Sequence, residues 1–169
     1  SVSVTGGAVC TDDALAGRLT PEEMAGLNLL VNENVTCELP VILRGKNVRL
    51  MIYGTGTKIT PSLSEGVLVF EVRISGDCKI VSSQLPAPYE EREALEDLAG
   101  RAVQHRVQSA LSSSVNRYGA DIAGLSYRVR SYSPSLWNEV SPRWREYLSS
   151  AVFIVSCDFR MERFGVSHG

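Results

Sequence analysis

Histidine and cysteine, which carry much of enzyme chemistry, are scarce in this chain of 169 residues. The two histidines are His105 and His168, and the four cysteines are Cys10, Cys37, Cys78 and Cys157. No two cysteines form a CxxC pair, which disfavours a zinc ribbon or a thioredoxin-type site. We therefore expect the cysteines to be small apolar core residues rather than disulfides, and the redox compartment stays open.

An excess of charge of one sign and long apolar runs are also lacking. The net charge is −2, and no stripe of Lys and Arg is interleaved with aromatic side chains. Nucleic-acid binding is therefore disfavoured. No apolar run approaches the roughly 18 residues of a membrane-spanning helix, so we do not expect this segment to insert into a membrane. The zincin motif HExxH is absent as well.

The start of the chain lacks an initiator methionine, a charged n-region and an apolar h-region. We expect residues 1–6 to be a linker or a cloning remnant, residues 7–165 to form the domain, and residues 166–169 to be a flexible tail. The length suits one domain. With 44% hydrophobic and 21% charged residues, the composition is typical of a soluble globular protein that folds without a metal or a disulfide.

What is present is a series of strand and helix signals. Two short apolar segments flank the acidic turn TDD at 11–13, which predicts a hairpin. TPEE at 20–23 combines an N-cap, a proline at the first helical position and first-turn acids, and it predicts a helix over 21–31. Residues 35–82 have the character of strands. From 68 to 80 the even positions are apolar and the odd ones largely charged, as in a half-buried antiparallel strand.

A stripe of apolar residues spaced by three and four predicts a long helix over 88–118, ended by Gly119. Two Ser-Pro pairs, at 133–134 and 141–142, each predict an N-cap followed by Pro at the start of a short helix. A closing strand is expected over 151–164, buried on both faces at its start, where Val152 and Ile154 lie. Together these elements predict an α+β fold: a mainly antiparallel sheet of about four to five strands, one long helix across a face, and several short helices.

Candidate site residues are few. Asp121 is interpreted as a helix cap ahead of Ile122 rather than a ligand-binding carboxylate. Trp137 and Trp144 are interpreted as core anchors rather than the lining of a pocket or interface, so all three stay weak binding candidates. GTGTK at 54–58 lacks the phosphate-loop spacing and predicts a strand bulge. The acids at 90–97 suit a solvated first helical turn better than a metal or acid–base pair.

No catalytic, cofactor-binding or metal-binding residue is assigned, and no cofactor is expected. A nucleophilic pair of a cysteine with His105 has no third group to orient it.

Read in order, several stretches resemble one family, the C-terminal domain of Ger(x)C proteins, the C subunits of bacterial spore germinant receptors. The stretches are GAVC at 7–10, LAGRLT at 15–20 with Glu23 and GL at 26–27, YGADIAGL at 118–125, PSLW at 134–137, then Trp144 with Leu148, and RFG at 163–165. They cover residues 6 to 165. Ala123 and Leu125 depart from the family's commoner residues around Gly124, which affects packing more than function.

The resemblance implies a lipoprotein on the outer face of the spore inner membrane, with its acylated cysteine outside this fragment. It also implies assembly with an integral-membrane A subunit and a membrane-embedded B subunit in a receptor for amino acids, sugars or nucleosides. Three hypotheses follow. The first is a non-enzymatic component that docks onto partner subunits. The second is a domain that binds the nutrient itself, near Trp137 and Asp121. The third is an enzyme acting on the spore cortex.

Overall fold

The computed structural model describes residues 2–5, 8–11, 14–121 and 123–162, which hold seven strands and five α-helices. The strands are β1 (Val2–Thr5), β2 (Ala8–Thr11), β3 (Ala14–Arg18), β4 (Cys37–Leu43), β5 (Lys46–Ser64), β6 (Val67–Ser83) and β7 (Val152–Met161). The helices are α1 (Pro21–Val31), α2 (Arg92–Leu111), α3 (Leu125–Tyr132), α4 (Pro134–Val140) and α5 (Trp144–Ser149). A 3₁₀ turn, Pro88–Glu91, precedes α2, a π-helical turn, Ser112–Arg117, follows it, and a second 3₁₀ turn, Ser141–Arg143, joins α4 to α5.

The main sheet has the strand order β4-β5-β6-β7. The first three strands are antiparallel neighbours, whereas β7 is parallel to β6. Parallel neighbours need a long crossover, and α2 to α5 supply it. The predicted α+β fold with a mainly antiparallel sheet is confirmed. The alternation along β6 holds too, since its core-facing side chains are buried: Leu68, Phe70, Val72, Ile74 and Cys78.

The long helix lies across one face of this sheet. Its inward side chains are at most 1% exposed: Leu95, Ala99, Val103, Val107 and Leu111. Helical structure runs without a break from 88 to 117, and Gly119 follows with φ +63°, so the predicted extent and stop are confirmed. Gly100 faces β7, where a Cβ atom would stand 3.1 Å from the carbonyl oxygen of Cys157. The helix therefore approaches the strand closely at that point.

Helix α1 begins as predicted. The Thr20 hydroxyl accepts from the Glu23 backbone N–H, and the Glu23 carboxylate accepts from the Thr20 N–H, which is a capping box. The helix then crosses α2 at Gly26, where a Cβ atom would stand 2.3 Å from the carbonyl oxygen of Arg106. Only glycine allows the two backbones to come this close.

The structure corrects two expectations about the C-terminal third. Ser141 is not an N-cap, because its backbone is helical (φ −59°, ψ −37°), so it continues α4 into the following turn instead of starting a helix. The start of β7 is not buried on both faces, since Val152 and Ile154 are 47% and 54% exposed. These two side chains point away from the helical layer, and no second layer meets them within the described residues. The Ser133 cap was predicted correctly, and its hydroxyl accepts from the Leu136 N–H at 3.2 Å.

A smaller sheet of order β1-β2-β3 precedes α1. The predicted hairpin corresponds to β2 and β3, which pair antiparallel. Strand β1 lies within the segment expected to be a linker and pairs with β2. Gly17 of β3 packs against the ring of Tyr118, which connects this sheet to the end of the long helix. The expected tail, residues 166–169, lies outside the described residues.

The cysteines are free thiols where they are described. Cys78 is fully buried, and Cys37 and Cys157 are half-buried. This agrees with their interpretation as small core or near-core residues. The side chain of Cys10 lies outside the described part of the chain.

The crossing at Gly26 generates a stability prediction. Substitution of Gly26→Ala places a methyl group against the Arg106 carbonyl and forces the helices apart. We expect a loss of roughly 1–3 kcal/mol, although alanine by itself favours a helix by about 1 kcal/mol over glycine. Urea unfolding followed by circular dichroism measures this.

Gly56→Ala is the matched control, because a Cβ atom there meets nothing within 4 Å and the residue does not have a positive φ. Its stability is expected to stay within about 0.5 kcal/mol of the parent. Equal unfolding midpoints for the Gly26→Ala protein and the parent would contradict the close crossing.

Candidate functional site

The groups that suggested chemistry in the sequence are not brought together. His105 is exposed on α2 and forms no hydrogen bond with a thiol in the described part of the chain. Burial raises the pKa of the Cys157 thiol to about 12, and burial together with the Glu96 carboxylate does the same for Cys78. Such thiols are poor nucleophiles at neutral pH. No cluster of His, Cys, Asp and Glu able to hold a metal ion is found among the described residues.

Asp121 is a capping residue. One carboxylate oxygen accepts the backbone N–H of Leu125 and the other accepts that of Ser126 at 3.0 Å. These are orphan donors of the first turn of α3, so the predicted capping role is confirmed, although the helix begins at 125 rather than immediately after the cap. Ile122, expected on the inner face, lies outside the described residues.

Trp137 and Trp144 lie on α4 and α5 with ring centroids 5.2 Å apart and planes at 63°. Both are half-buried and pack against the main core. This edge-to-face contact joins two short helices that have little length of their own to stabilise them. Core anchoring accounts for both indoles, and a binding role for them remains a prediction.

The acidic N-terminal region of the long helix is used structurally. Glu91 pairs with Arg44 at 2.6 Å, and Asp97 pairs with Arg101 at 3.0 Å. The Glu96 carboxylate accepts the backbone N–H of Met161 at the end of β7. The GTGTK segment forms a bulge, as predicted, with a register shift between Tyr53 and Gly56.

The unoccupied surface of the main sheet is the strongest candidate site. The side of β5, β6 and β7 that is turned away from α2, here called the open face, carries exposed and half-buried side chains. Its cross-strand rows are Ser62, Val69 and Val152; Thr60, Glu71 and Ile154; Lys58, Arg73 and Ser156; Gly56, Ser75 and Asp158. Further along the same strands lie Tyr53, Asp77 and Arg160, followed by Met51 and Lys79.

At one end of the open face several polar groups are paired. The Tyr53 hydroxyl donates to the Glu162 carboxylate at 2.6 Å, and the Lys79 ammonium lies 5.7 Å from the centre of the Tyr53 ring. On the next strand pair Arg49 contacts Glu38 at 2.7 Å. The hydrogen bond to Glu162, aided by burial, raises the pKa of Tyr53 to about 12.

The other end of the open face is different. Lys58 and Arg73 stand directly opposite each other on β5 and β6, and neither forms an ion pair or hydrogen bond with a described residue. Beside them on the same face lie Val69, Val152 and Ile154, and the last two are about half exposed. This end combines unpaired positive charge with exposed apolar surface.

Two grooves border that end. One, of about 570 Å³, is lined by Lys58, Arg73, Ser75, Ser156, Asp158 and Glu33 among others. The second, of about 260 Å³, lies between the β5–β6 turn and α5, and Val67 and Tyr147 form part of its lining. The grooves are shallow, because most of the side chains that line them are exposed or half-buried.

Sequence reasoning missed this end of the open face. The alternation along β6 placed Arg73 on the exposed side, but it could not show that Lys58 lies opposite. That pairing follows the register of the β5–β6 hairpin, whose turn at Glu65 and Gly66 the sequence analysis did not locate. The apolar run at 152–155 suggested burial on both faces, which concealed Val152 and Ile154 as surface residues.

The fold and the open face define an α+β domain with one sheet face covered by a long helix and the other uncovered in the described chain. The family model "Spore germination B3/ GerAC like, C-terminal" matches residues 5–165. The chain belongs to this family, which confirms the resemblance drawn from the sequence.

The chain is also similar to one known protein sequence and one solved structure. Spore germination protein B3 of Bacillus subtilis (strain 168) is 23% identical over 155 residues, which are 89% of this chain and 41% of that protein. The crystal structure of the GerBC protein matches with a TM-score of 0.77 and 20% identity, covering 92% of this chain and 50% of that one. At 20% identity, the likeness to the GerBC structure shows the fold alone. The chain spans about half the length of these relatives or less.

The Tyr53–Glu162 contact generates a pH prediction. Because the folded-state pKa of Tyr53 is raised to about 12 from 10, its contribution to stability is complete below pH 10 and is lost as the pH rises to 12. Tyr53→Phe is expected to lose about 1 kcal/mol at pH 8, a value discounted for partial exposure. The difference between parent and variant should then shrink between pH 10 and 12.

Urea unfolding of both proteins at pH 8, 10, 11 and 12 measures this difference. Tyr127→Phe is the control, since Tyr127 is 64% exposed and its hydroxyl has no hydrogen-bond partner among described residues. A pH-independent difference between Tyr53→Phe and the parent would contradict the assignment.

Proposed function

We propose that this chain is part of the C subunit of a spore germinant receptor and acts there without catalysis, by docking onto the receptor's A and B subunits. The observation that carries the proposal is the unpaired end of the open face. The family supports a role in spore germination, and the name of the Bacillus subtilis relative mentions germination and no enzymatic activity. Interaction surfaces commonly combine exposed apolar side chains with arginine, as this one does.

The proposal includes a location. The complete protein would be held on the outer face of the spore inner membrane by a lipid anchor outside this fragment. In the described residues no helix has the length and apolar character needed to cross a bilayer. Residues 7–165 would form the docking domain, and we propose no cofactor or metal for it.

A second candidate is direct binding of the nutrient, and the larger groove favours it. Its lining carries both signs of charge, with Lys58 and Arg73 near Glu33 and Asp158. Small-ligand sites usually bury most of the ligand in a deep pocket, whereas this groove is shallow. Docking is therefore preferred. Nothing in the described residues favours the third hypothesis, an enzyme acting on the cortex.

The docking proposal is tested in the spore-forming bacterium that encodes the chain. Spores whose receptor protein lacks residues 7–165 are expected to lose most of the fall in optical density that follows nutrient addition. The tagged parent protein is expected to co-purify with the A and B subunits from detergent-solubilised spore membranes. Normal germination together with capture of neither subunit would overturn the proposal.

The two candidates are separated by a ligand titration of the isolated chain. Amide chemical shifts are followed while amino acids, sugars and nucleosides are added up to millimolar concentration. Docking predicts no saturable shift. Saturable shifts at Arg73 and Ser156 would favour the nutrient-binding candidate instead.

A further inference from the structure

We infer that the unpaired end of the open face binds a segment of another receptor subunit that presents a carboxylate set among apolar side chains. This inference rests on the proposed function and names the surface and chemistry of its docking step. The surface, called the docking patch below, consists of Lys58, Val69, Arg73, Val152 and Ile154.

The charge arrangement points to a carboxylate. Like charges directly opposite on neighbouring strands destabilise a sheet, and Lys58 and Arg73 are such a pair. Several other basic side chains among the described residues have partners: Arg44 with Glu91, Arg49 with Glu38, Arg101 with Asp97 and Lys79 with the Tyr53 ring. In that part of the chain, Lys58 and Arg73 differ from other unpaired cations, such as Lys46 and Arg92, because they lie directly opposite each other. A carboxylate placed between Lys58 and Arg73 would relieve their repulsion and form charge-assisted hydrogen bonds with both.

The apolar part points to flanking hydrophobic side chains on the same segment. Val69 and Val152 are in register on β6 and β7, and Ile154 is the next residue on that face of β7. Single exposed apolar residues are ordinary, but here β-branched side chains adjoin on two strands. The row that holds Ile154 lies next to the row that holds Arg73. A single extended or helical segment therefore reaches both.

The segment is placed on the face of the sheet, because α2 occupies the free edge of β7 from Val155 to Met161. The Gln104 side chain donates to the carbonyl oxygen of Val155 at 3.0 Å, and the Glu96 carboxylate accepts the Met161 N–H at 3.0 Å. Between them Gly100 lets α2 approach the Cys157 carbonyl. Pairing of a partner strand along this stretch of the edge is thereby blocked.

The charges in and around the docking patch also favour a protein segment over other occupants of the patch. Glu71 lies between the apolar and basic rows, and Asp158 and Glu33 border the adjacent groove. These acids repel an anionic bilayer surface, which attracts uninterrupted basic clusters. A second copy of the chain related by a two-fold axis through the Lys58–Arg73 pair would bring cations against cations. A protein segment with a single acidic residue can place that charge at the Lys58–Arg73 pair and its apolar side chains over the neighbouring row, which a uniformly anionic surface cannot do.

Two variants of the complete protein, produced in its host, test the docking patch. Lys58→Glu combined with Arg73→Glu, and Ile154→Asp, are each expected to lower the recovered A and B subunits at least about tenfold relative to the parent. The matched controls are Lys46→Glu with Arg92→Glu, and Ile42→Asp. Lys46 and Arg92 are exposed away from the docking patch, and Ile42 is 66% exposed on β4. Controls are expected to change recovery less than twofold.

Thermal unfolding of the isolated chain carrying each substitution shows whether the fold is intact. A patch variant that unfolds near the parent temperature and still recovers both subunits overturns the inference. If the parent protein itself recovers neither subunit, the proposed function fails instead, so the two failures are distinguishable.

The carboxylate is tested by zero-length carbodiimide coupling, which joins a lysine amine to a carboxylate in contact with it. Mass spectrometry of the coupled receptor is expected to find Lys58 linked to an Asp or Glu of another subunit. Lys58→Arg is expected to keep subunit recovery and lose the link, because guanidinium does not couple. The inference is overturned if Lys58 is linked to a second copy of this chain or if no link is found at all. It is also overturned if the parent protein sediments with phosphatidylglycerol vesicles through the docking patch.

Discussion

The arrangement of the other elements depends on the packing of one long helix against one face of the sheet. The helix lies close because Gly100 leaves room for the Cys157 carbonyl of β7 and Gly26 leaves room for the crossing of α1 over Arg106. The inward stripe of the helix and the core-facing side chains of β6 then meet with almost no exposed area. Since burial of apolar surface is the dominant favourable term in folding, the domain gains most of its stability on this side alone.

A sheet stabilised from one side leaves its other face available for a partner. Antiparallel sheets commonly leave one face to solvent, and such a face is normally polar. The open face follows that expectation around Tyr53 and Glu162, where polar groups are paired, and departs from it around Lys58 and Arg73. The edge of β7, often the vulnerable part of a sheet, is closed by Gln104 and Glu96. The docking patch lies beside this closed edge, so docking is placed on the face.

The local elements were predictable where a short stretch of chain decides the outcome. Three such features depend on neighbouring residues and were confirmed: the capping box of Thr20 and Glu23, the helix stop at Gly119 and the bulge near Gly54. Predictions failed where distant parts decide. Ser141 has the residue order of an N-cap, but its backbone is helical and continues α4. Val152 and Ile154 have the hydropathy of core residues, and whether they are covered depends on a layer elsewhere in the chain.

Hydrophobic periodicity and turn chemistry in the sequence were enough to determine the α+β class, the long helix and the half-buried strand β6, because period and caps act over a few residues. The family followed from the resemblance of stretches such as YGADIAGL at 118–125. Only the tertiary structure decided that β7 lies parallel beside β6, that Lys58 faces Arg73, and that one sheet face stays open. The parallel pairing and the open face depend on contacts between residues far apart in the chain, whereas the Lys58–Arg73 register is fixed by the turn between β5 and β6, which the hydropathy pattern did not locate.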